Sequence, residues 1–539
     1  MLEILLHNAT FWLGPGKSAP RLLLREGRVA SIDPPADTCS PTVSWHDLAG
    51  AFVTPGLHDA HLHLYWRGEQ LVRYADLSDA RSWDDVADRL RRHAERIRPQ
   101  AERPSQQADR PGRRADGGVA HDWVLGRGVN DERLREGAMP PKQVLERALP
   151  GRAVVVGRVC GHVGVLSDEA LRRLPPEVAA SGDADTGLFR EQAYWEALGH
   201  LPPLSEQELD EAAAAALDEA ARAGFTAVGT MLEEVRQLAS LERLASAGRL
   251  PLRVVAHVPG LAVTAVSTSP GQDSQQASGS ELWRSGRVSG WRSACGRLTV
   301  GAAKFFSDGT LGARTAWLRD DYSDAPGVRG TCLLNVDEMT RRFLLAASRG
   351  YRIAVHAIGD AALDACLTAL ETVASRFGPR NDRIEHVSLA DDGLLDRFAC
   401  WGGMAVVQPQ FAVSDTFLER RLGPQRVRWA YRFRSMAQRG IPLALSSDCP
   451  VERLDPDACL AAALTGAAWN REALTEDEAI DAYTRGSARA GGLEGQYGQL
   501  VVGGPADLTV FDRPPGRGGR VIGVLRDGRY EPCGLQRAG

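Results

Sequence analysis

His61 and His63 are separated by a single residue at the end of a short apolar run, in the segment VTPGLHDAHLHL that covers residues 53–64. Side chains two residues apart in a strand point to the same face, so both imidazoles are predicted to project toward one point. Two imidazoles placed in this way can chelate one metal ion. An isolated His-x-His pair is equally consistent with two polar residues that end a strand and bind no metal. His58 has the opposite parity and is interpreted as a structural residue.

Four further residues with metal-binding or acid–base chemistry occupy similar positions elsewhere in the chain. His356 in RIAVHAIGD and His386 in DRIEHVSL come late in predicted strands, in a chain with only 12 histidines. Lys304 lies inside the apolar run TVGAAKFF, where a bare ammonium group is costly to bury. Asp448 ends the run IPLALSSD. Each alone is more often a structural residue, but their ordered recurrence at strand ends predicts one metal-dependent active site.

These residue types predict hydrolysis by a metal-activated water. Neutral imidazoles and carboxylates suit one or two divalent ions, with Zn²⁺ as the expected metal, and leave a coordination position for water. Lys304 contributes only if its charge is removed, and carboxylation by CO₂ would convert it to an anionic carbamate that bridges two metals. A bridged water is acidified toward neutral pH and becomes a strong nucleophile. Asp448 is expected to take its proton and pass it to the leaving group.

The elements that must position these residues alternate between strands and helices. The capping signals Ser205-x-x-Glu208 and Thr475-x-x-Glu478 predict the starts of two of the helices. Eight strands in such an alternation favour an α/β fold of the (β/α)8 TIM-barrel type over an open doubly wound sheet, with the active site at the carboxyl ends of the strands. The predicted strand runs are 52–58, 225–231, 252–258, 299–306, 352–357, 383–388, 403–408 and 441–446.

The two ends of the chain differ from this middle part in their sequence pattern. Short β-rich runs broken by turn residues occur in both, so residues 1–52 and 491–539 are predicted to form one composite β-sandwich domain. Residues 53–490 are assigned to the hydrolase barrel. The interval after its first strand is far longer than a normal crossover, so residues 65–200 are predicted to form an inserted subdomain.

Composition excludes other classes of function. Lys and Arg number 64 against 69 Asp and Glu, a net charge of -5, so we expect a small-molecule substrate and no nucleic-acid partner. The chain has no run of about 18 apolar residues that could span a membrane. Nine cysteines are scattered without C-x-x-C spacing, as is typical of reduced thiols in a cytoplasmic protein. The polar segments 100–118 and 267–280 are predicted to be flexible loops. Their role and the formation of a homodimer are left open.

A series of ordered motifs runs through the chain: PG-x-x-D-x-H-x-H at 55–63, WVLGRGVNDE at 123–132, GHVGVLSDEAL at 161–171, KFFSDGTLGARTA at 304–316, VHAIGDAALD at 355–364, RIEHVSL at 383–389, SSDCPV at 446–451 and the terminal GPADLTVFD. With these motifs the chain resembles the amidohydrolase superfamily, in the branch typified by N-substituted formamide deformylases (amidohydrolase family 3). The resemblance implies a metal-dependent hydrolase of a C–N bond other than a peptide bond. In the superfamily pattern His61 and His63 would hold a first metal with Asp448. His356 and His386 would hold a second, with Lys304 as the bridge.

This branch is chemically broad, so the resemblance does not define the substrate. The candidate substrate contacts are His162, Asp308, Arg314 and Trp66. Two alternatives stay open: deamination of a heterocyclic amine on the same scaffold, and a catalytically silent assembly protein, against which the complete set of ligands argues. Several aromatic residues either line an apolar pocket or pack the insertion onto the barrel, namely Trp66, Trp83, Trp123, Tyr194, Trp195, Phe305, Trp317 and Tyr322.

Overall fold

The structure, a computed structural model, describes residues 3–35, 43–101, 123–159, 161, 163–183, 185–265, 282 and 284–533. The described strands, in chain order, are β1 (Glu3–Gly14), β2 (Lys17–Arg25), β3 (Arg28–Ile32), β4 (Ser44–Pro55), β5 (Leu57–Leu62), β6 (Tyr74–Asp76), β7 (Trp123–Val129), β8 (Ala153–Arg158), β9 (Val163–Leu166), β10 (Leu188–Arg190), β11 (Phe225–Met231), β12 (Arg253–Pro259), β13 (Leu298–Phe306), β14 (Ile353–Ala357), β15 (Arg383–His386), β16 (Met404–Val407), β17 (Leu443–Leu445), β18 (Leu508–Phe511), β19 (Val521–Arg526) and β20 (Arg529–Pro532). The described α-helices are Leu64–Arg73, Trp83–Ala101, Lys142–Ala148, Asp168–Arg172, Pro176–Ala179, Glu191–Gly199, Glu206–Ala223, Val235–Ser246, Gly260–Val263, Val336–Ser348, Asp360–Phe377, Asp392–Trp401, Phe411–Ser414, Leu418–Arg426, Phe433–Gln438, Pro456–Thr465, Glu476–Asp481 and Ser487–Gly491.

Eight parallel strands form the barrel sheet, in the order β5-β11-β12-β13-β14-β15-β16-β17. The segment after β17 hydrogen-bonds back to β5: Asp448 N donates to His61 O over 2.9 Å, and His63 N donates to Cys449 O over 2.7 Å. These two bonds bring the edge strands together and nearly close the barrel. The predicted (β/α)8 fold class is therefore confirmed.

The first barrel strand begins later than the predicted run 52–58. Residues Phe52–Pro55 belong to β4, which pairs with β18 outside the barrel. Gly56 alone then separates β4 from β5. A Cβ at Gly56 would lie 2.2 Å from Thr226 Oγ1, so the close approach to β11 requires glycine here. The other seven predicted runs match β11 to β17 to within two residues at each end.

Strands from both ends of the chain form a second, seven-stranded sheet, in the order β20-β19-β18-β4-β1-β2-β3. β4 lies between β18 and β1 and pairs with β1 in parallel. The core of this sheet joins Leu6 and Leu24 near the amino terminus to Leu508 and Leu525 near the carboxyl terminus. Neither end of the chain supplies this apolar core alone, because the sheet is built from strands of both.

Two predicted capping boxes set helix starts. Ser205 N donates to Glu208 Oε2 over 2.8 Å, while Glu208 N donates to Ser205 Oγ over 3.3 Å, and the helix Glu206–Ala223 follows. Thr475 and Glu478 make the same reciprocal pair before the helix Glu476–Asp481. Each pair satisfies backbone N–H groups that have no partner inside the helix.

Residues 68–212 form a separate compact unit that interrupts the chain between β5 and β11, as predicted for an insertion after the first barrel strand. Its five-stranded sheet has the order β10-β9-β8-β7-β6. Both faces are covered: Val124 and Val154 belong to one buried cluster, while Trp123 and Val155 belong to the other. This alternation follows from the two-residue period of a strand.

No helix in the described ranges is long and apolar enough to cross a membrane. The seven cysteines that the structure describes are all free thiols, in agreement with the scattered spacing. Residues 102–118 and 267–280, which make up most of the two predicted loops, lie outside the described residues.

Candidate active site

The predicted metal-site residues lie at or just beyond the carboxyl ends of five barrel strands. Because parallel strands end at the same rim of a barrel, their last side chains are brought close together. His61 is in β5 and His63 follows it, Lys304 is in β13, His356 is in β14, His386 ends β15, and Asp448 follows β17.

Three of these residues direct one ligand atom each toward a common point. His61 Nε2 lies 3.3 Å and His63 Nε2 lies 3.2 Å from Asp448 Oδ1. Together they form a group whose ligand atoms all lie within 4.8 Å of one another. Two imidazole nitrogens and a carboxylate oxygen are the donors found in zinc sites that keep a position open for water.

Hydrogen bonds on the far side of each ring set the tautomers of this pair. His61 Nδ1 lies 2.7 Å from Glu385 Oε2, and His63 Nδ1 lies 3.0 Å from Glu233 Oε1. A carboxylate only accepts, so each Nδ1 carries the proton and the Nε2 of a neutral ring has an unshared pair. Facing an Asp448 oxygen, such pairs are placed to share either a proton or a divalent ion with it. The donor set therefore fits a divalent ion.

His356 and His386 form a second pair of imidazoles, with ring centroids 4.4 Å apart. His386 is also 5.2 Å from the ring of His61, so the two pairs are contiguous. His386 Nδ1 lies 2.7 Å from Gln408 Oε1, and His356 Nε2 lies 2.9 Å from the carbonyl of Gly309. Both partners are acceptors, so His386 Nε2 and His356 Nδ1 are left as the basic nitrogens.

Lys304 is buried at this rim. Within the described part of the chain its Nζ has no hydrogen-bond partner, and it lies 4.7 Å from the ring centroid of Phe306. Burial lowers the pKa of Lys304 to about 8, against the opposing charges of Glu385 and Asp448. An unpaired buried amine is costly, which suggests a residue that works in a form other than a bare ammonium.

The histidines differ in their protonation. Burial, with help from the Lys304 charge, lowers the pKa of His356 to about 3 and holds the pKa of His61 well below its usual value. Burial and the neighbouring His356 do the same to the pKa of His386. At His63 burial acts in the same direction but is outweighed by hydrogen bonds to Asp448 and Glu233, which raise its pKa to about 9.

Sequence reasoning missed the carboxylates and the amide that orient these rings. Glu385 stands beside His386 in the RIEHVSL motif, but strict alternation along a strand would place it on the opposite face. Glu233 follows the end of β11. The rule that active-site residues of a barrel lie at the carboxyl ends of its strands could have identified it from the sequence. Gln408 follows β16 in the same way. Each is identified by its contact with a ligand histidine.

Asp59, within the first motif, positions Asp448 through the backbone. Its carboxylate accepts from Ser447 N at 3.0 and 3.2 Å and from His61 N at 3.1 Å. The strand that carries the histidine pair is thereby tied to the turn that carries Asp448. Burial raises the pKa of Asp59 to about 7, against these hydrogen bonds.

Of the candidate substrate contacts, Asp308 is already occupied. It is buried, and it accepts backbone N–H groups of Trp317, Ile358 and Gly359 over 2.9, 3.1 and 2.8 Å. Its Oδ1 also lies 3.5 Å from His356 Nε2. Asp308 therefore supports the loops around His356.

Arg314 also has a partner. Its guanidinium donates to both oxygens of Asp324, over 3.0 and 2.9 Å, so its charge is neutralised within the protein. Trp66 is half-exposed and lies 5.9 Å from the ring of His63, next to the metal ligands. His162 lies outside the described residues.

A cavity of about 1030 Å³ opens next to Lys304. Its wall carries three apolar side chains that are about half exposed, Leu261, Phe306 and Leu333, and its polar lining includes Glu233. The predicted aromatic pocket is only partly present. Trp123, Tyr194 and Tyr322 are core residues, whereas Phe305 and the unanticipated Phe306 line the cavity.

Comparison with known proteins gives a consistent result. Residues 45–529 match the sequence profile of the amidohydrolase family. The putative amidohydrolase YtcJ of Bacillus subtilis is 29% identical over 504 residues, covering 88% of this chain and 87% of the relative. The N-substituted formamide deformylase of Arthrobacter pascens is 23% identical, covering 92% of this chain and 90% of the relative.

A solved structure has the same architecture. The crystal structure of an uncharacterized metal-dependent hydrolase from Pyrococcus furiosus superimposes with a TM-score of 0.76 at 28% identity, covering 96% of this chain and all of that one.

Proposed function

The chain belongs to the amidohydrolase family, and from that premise we propose that it hydrolyses the C–N bond of a small N-substituted amide with the help of a divalent metal ion. The observation that carries the proposal is the convergence of His61 Nε2, His63 Nε2 and Asp448 Oδ1. A divalent ion placed among these three atoms would bind all of them at once.

The proposed metal is Zn²⁺, because imidazole nitrogen with carboxylate oxygen is a donor set that zinc favours. His61, His63 and Asp448 would hold one ion, and His356 with His386 would hold a second. Lys304 would join the two positions after its amine has added to CO₂, with loss of a proton, to form a carbamate. The buried and unpaired Nζ, and the closeness of the two histidine pairs, support this assignment.

A divalent ion bound here supplies Lewis acidity, which polarises a substrate carbonyl and lowers the pKa of a bound water to about 7. Asp448 is the proposed general base and general acid. Its carboxylate takes a proton from the attacking water and delivers it to the departing nitrogen, so that the amine leaves as a neutral molecule. Asp59 holds the Asp448 turn in place during these transfers.

The proposed substrate is a formamide or other small acylamide with a neutral, apolar group on nitrogen, such as benzyl or alkyl. The cavity next to Lys304 supports this choice, since Leu261, Phe306 and Leu333 offer apolar surface to a substituent. The pairing of the Arg314 charge with Asp324 argues against Arg314 as an anchor for an anionic substrate. The similarity to a deformylase of N-substituted formamides agrees with the same class.

The test combines metal analysis with a hydrolysis screen. Bound metal is measured by mass spectrometry in purified protein, and release of benzylamine is followed with N-benzylformamide and N-acetylbenzylamine as substrates. We expect activity to be lost on chelation and restored by Zn²⁺. Equal activity in metal-depleted protein would contradict the proposal, as would failure to cleave any N-acyl or N-formyl amine.

A further inference from the structure

A fully buried ion pair lies next to the metal ligands, inside the barrel. Arg383 and Glu385 both lie on β15, and their side chains are 1% and 0% exposed. Arg383 Nε donates to Glu385 Oε1 over 2.5 Å, and Nη2 donates to Oε2 over 2.8 Å. This two-pronged contact fixes the plane of the carboxylate.

The guanidinium also contacts three other elements, and its Nη1 lies 3.3 Å from His257 Nε2 in β12. Arg383 Nη2 donates to the carbonyl of Ala60 in β5 over 2.8 Å, and Nη1 donates to the carbonyl of Ala490 in the helix Ser487–Gly491 over 3.3 Å. Three segments that are distant in sequence therefore hold one side chain. Neither Arg383 nor Glu385 is free to adopt another rotamer without leaving a buried charged group unpaired.

The carboxylate acts on one ligand histidine. Glu385 Oε2 accepts the proton of His61 Nδ1 over 2.7 Å, which leaves Nε2 of the same ring facing Asp448. Rotation of the His61 ring would break this bond between two side chains that are only 1% and 0% exposed. The orientation and the tautomer of His61 are thus both set by Glu385.

The contacts of the other rings differ in kind. The partner of His63 is Glu233, whose side chain is 46% exposed, and the partner of His386 is the neutral amide of Gln408. A half-exposed carboxylate exchanges its contacts with water and restrains a ring less firmly. Among the described partners of the four histidines, Glu385 is the carboxylate that is held by a buried arginine.

A contribution to folding stability does not by itself explain why a buried ion pair lies here. Removing two charges from water costs about as much as their attraction returns, and apolar replacements of buried ion pairs are often neutral or stabilising. We infer that Arg383 and Glu385 are positioning residues, which hold His61 Nε2 in the direction of the metal ion. This inference rests on the metal centre proposed above and adds residues that do not themselves touch the ion.

The test measures metal affinity directly. Metal-depleted protein is titrated with Co²⁺, and the dissociation constant and the visible absorption spectrum are recorded for the unaltered chain, Glu385→Ala and Arg383→Met. We expect Co²⁺ to bind about 10- to 100-fold more weakly to both variants, the range typical for loss of such a partner. The spectrum of the ion that still binds should change, because His61 no longer holds its orientation.

The matched control is Arg253→Met. Arg253 is a buried arginine of β12, which lies three strands away from β15 in the barrel sheet, and it pairs with Asp507 and Asp527. Its replacement removes a comparable ion pair from the same barrel and should leave Co²⁺ affinity unchanged. An equal loss of affinity in this control would show a general effect of barrel damage and would overturn the inference.

Glu385→Gln keeps the size of the side chain, but its amide has a single acceptor oxygen for both Arg383 and His61 and cannot satisfy the two as the carboxylate does. If Glu385→Ala does not fold, this variant decides, and weaker binding with an altered Co²⁺ spectrum is the expected result. Affinity and spectrum identical to those of the unaltered chain in the variants of Arg383 and Glu385 would overturn the positioning role alone. Failure of the unaltered chain to bind Co²⁺ would instead overturn the metal centre itself.

Discussion

Glu385 and His386 are consecutive in β15, yet both side chains reach the ring of His61. The carboxylate of Glu385 lies 2.7 Å from His61 Nδ1, and the ring centroids of His386 and His61 lie 5.2 Å apart. Residues next to each other in a regular strand point to opposite faces. His386 departs from this rule because its φ is 74°, in the left-handed region, so the chain turns as the strand ends. One short strand thereby supplies both a ligand and the group that orients another ligand.

Removal of the first histidine pair should remove metal. We expect His61→Ala to lower both the content of divalent ion and the activity, and the double variant His61→Ala, His63→Ala to lose the first ion entirely. The physical reason is that Asp448 alone offers too few donors. Metal content by mass spectrometry checks this, with the exposed His46→Ala as the control. Full occupancy in the double variant would show that the ion is held elsewhere.

Asp448→Asn should separate folding from turnover. Asparagine keeps the shape and one oxygen, and it tolerates the left-handed backbone at this position, where φ is 56°. It has no carboxylate to move a proton, so we expect kcat for N-benzylformamide to fall by about 10²–10⁴. A melting temperature close to that of the unaltered chain shows that the fold is kept. Near-normal turnover would assign the acid–base role to another group.

The apolar wall of the cavity should set substrate preference. Phe306 is about half exposed and lies 5.6 Å from the ring of His356, so its removal takes apolar surface away next to the reacting bond. We expect Phe306→Ala to raise KM for N-benzylformamide by about tenfold, since an aromatic contact of this kind contributes about 1–2 kcal/mol.

The matched control for this variant is Phe377→Ala, a similarly exposed phenylalanine at the end of a barrel helix. It should leave KM unchanged. The unaltered enzyme is also compared on N-benzylformamide and on N-formyl amino acids. A clear preference for the charged substrates would contradict an apolar pocket.

The ion pairs of Asp324 with Arg314 and Arg421 should make the free energy of unfolding depend on pH at acidic pH. Hydrogen bonds from Arg314 and then from Arg421 lower the pKa of Asp324 from its ordinary value of 3.8 to about 2, despite partial burial. A carboxyl group whose pKa is lower in the folded chain stabilises it above pH 4, and this contribution is lost as the pH falls toward 2.

Asp324→Asn should therefore reduce the free energy of unfolding by about 1–2 kcal/mol at pH 7, and the difference from the unaltered chain should shrink between pH 4 and pH 2. Urea midpoints measured across this range provide the test. Asp33→Asn, which removes an exposed pair with Arg21, is the control and should change little. A difference that stays constant down to pH 2 would contradict the predicted linkage.

The sequence alone determined those features that depend on near neighbours. Apolar runs located seven of the barrel strands, and the Ser205 and Thr475 boxes located two helix starts, because both signals act over a few residues. The six proposed ligands were found in the same way. Each stands at the end of a strand run, and the barrel fold by itself brings such ends to one rim.

Pairing between distant segments was decided only by the tertiary structure. Glu385 meets His61 across 324 residues of chain, and Arg383 meets Ala60 across 323. Patterns over a few residues do not identify such distant partners. The left-handed turn at His386 also interrupts the alternation of side chains that a regular strand predicts. Arg314 and Asp324 are only 10 residues apart, but they too become partners only when the loop folds back on itself. Residue type and position along a strand identify which groups can do chemistry, whereas their orientation and charge state depend on contacts that exist only in the folded chain.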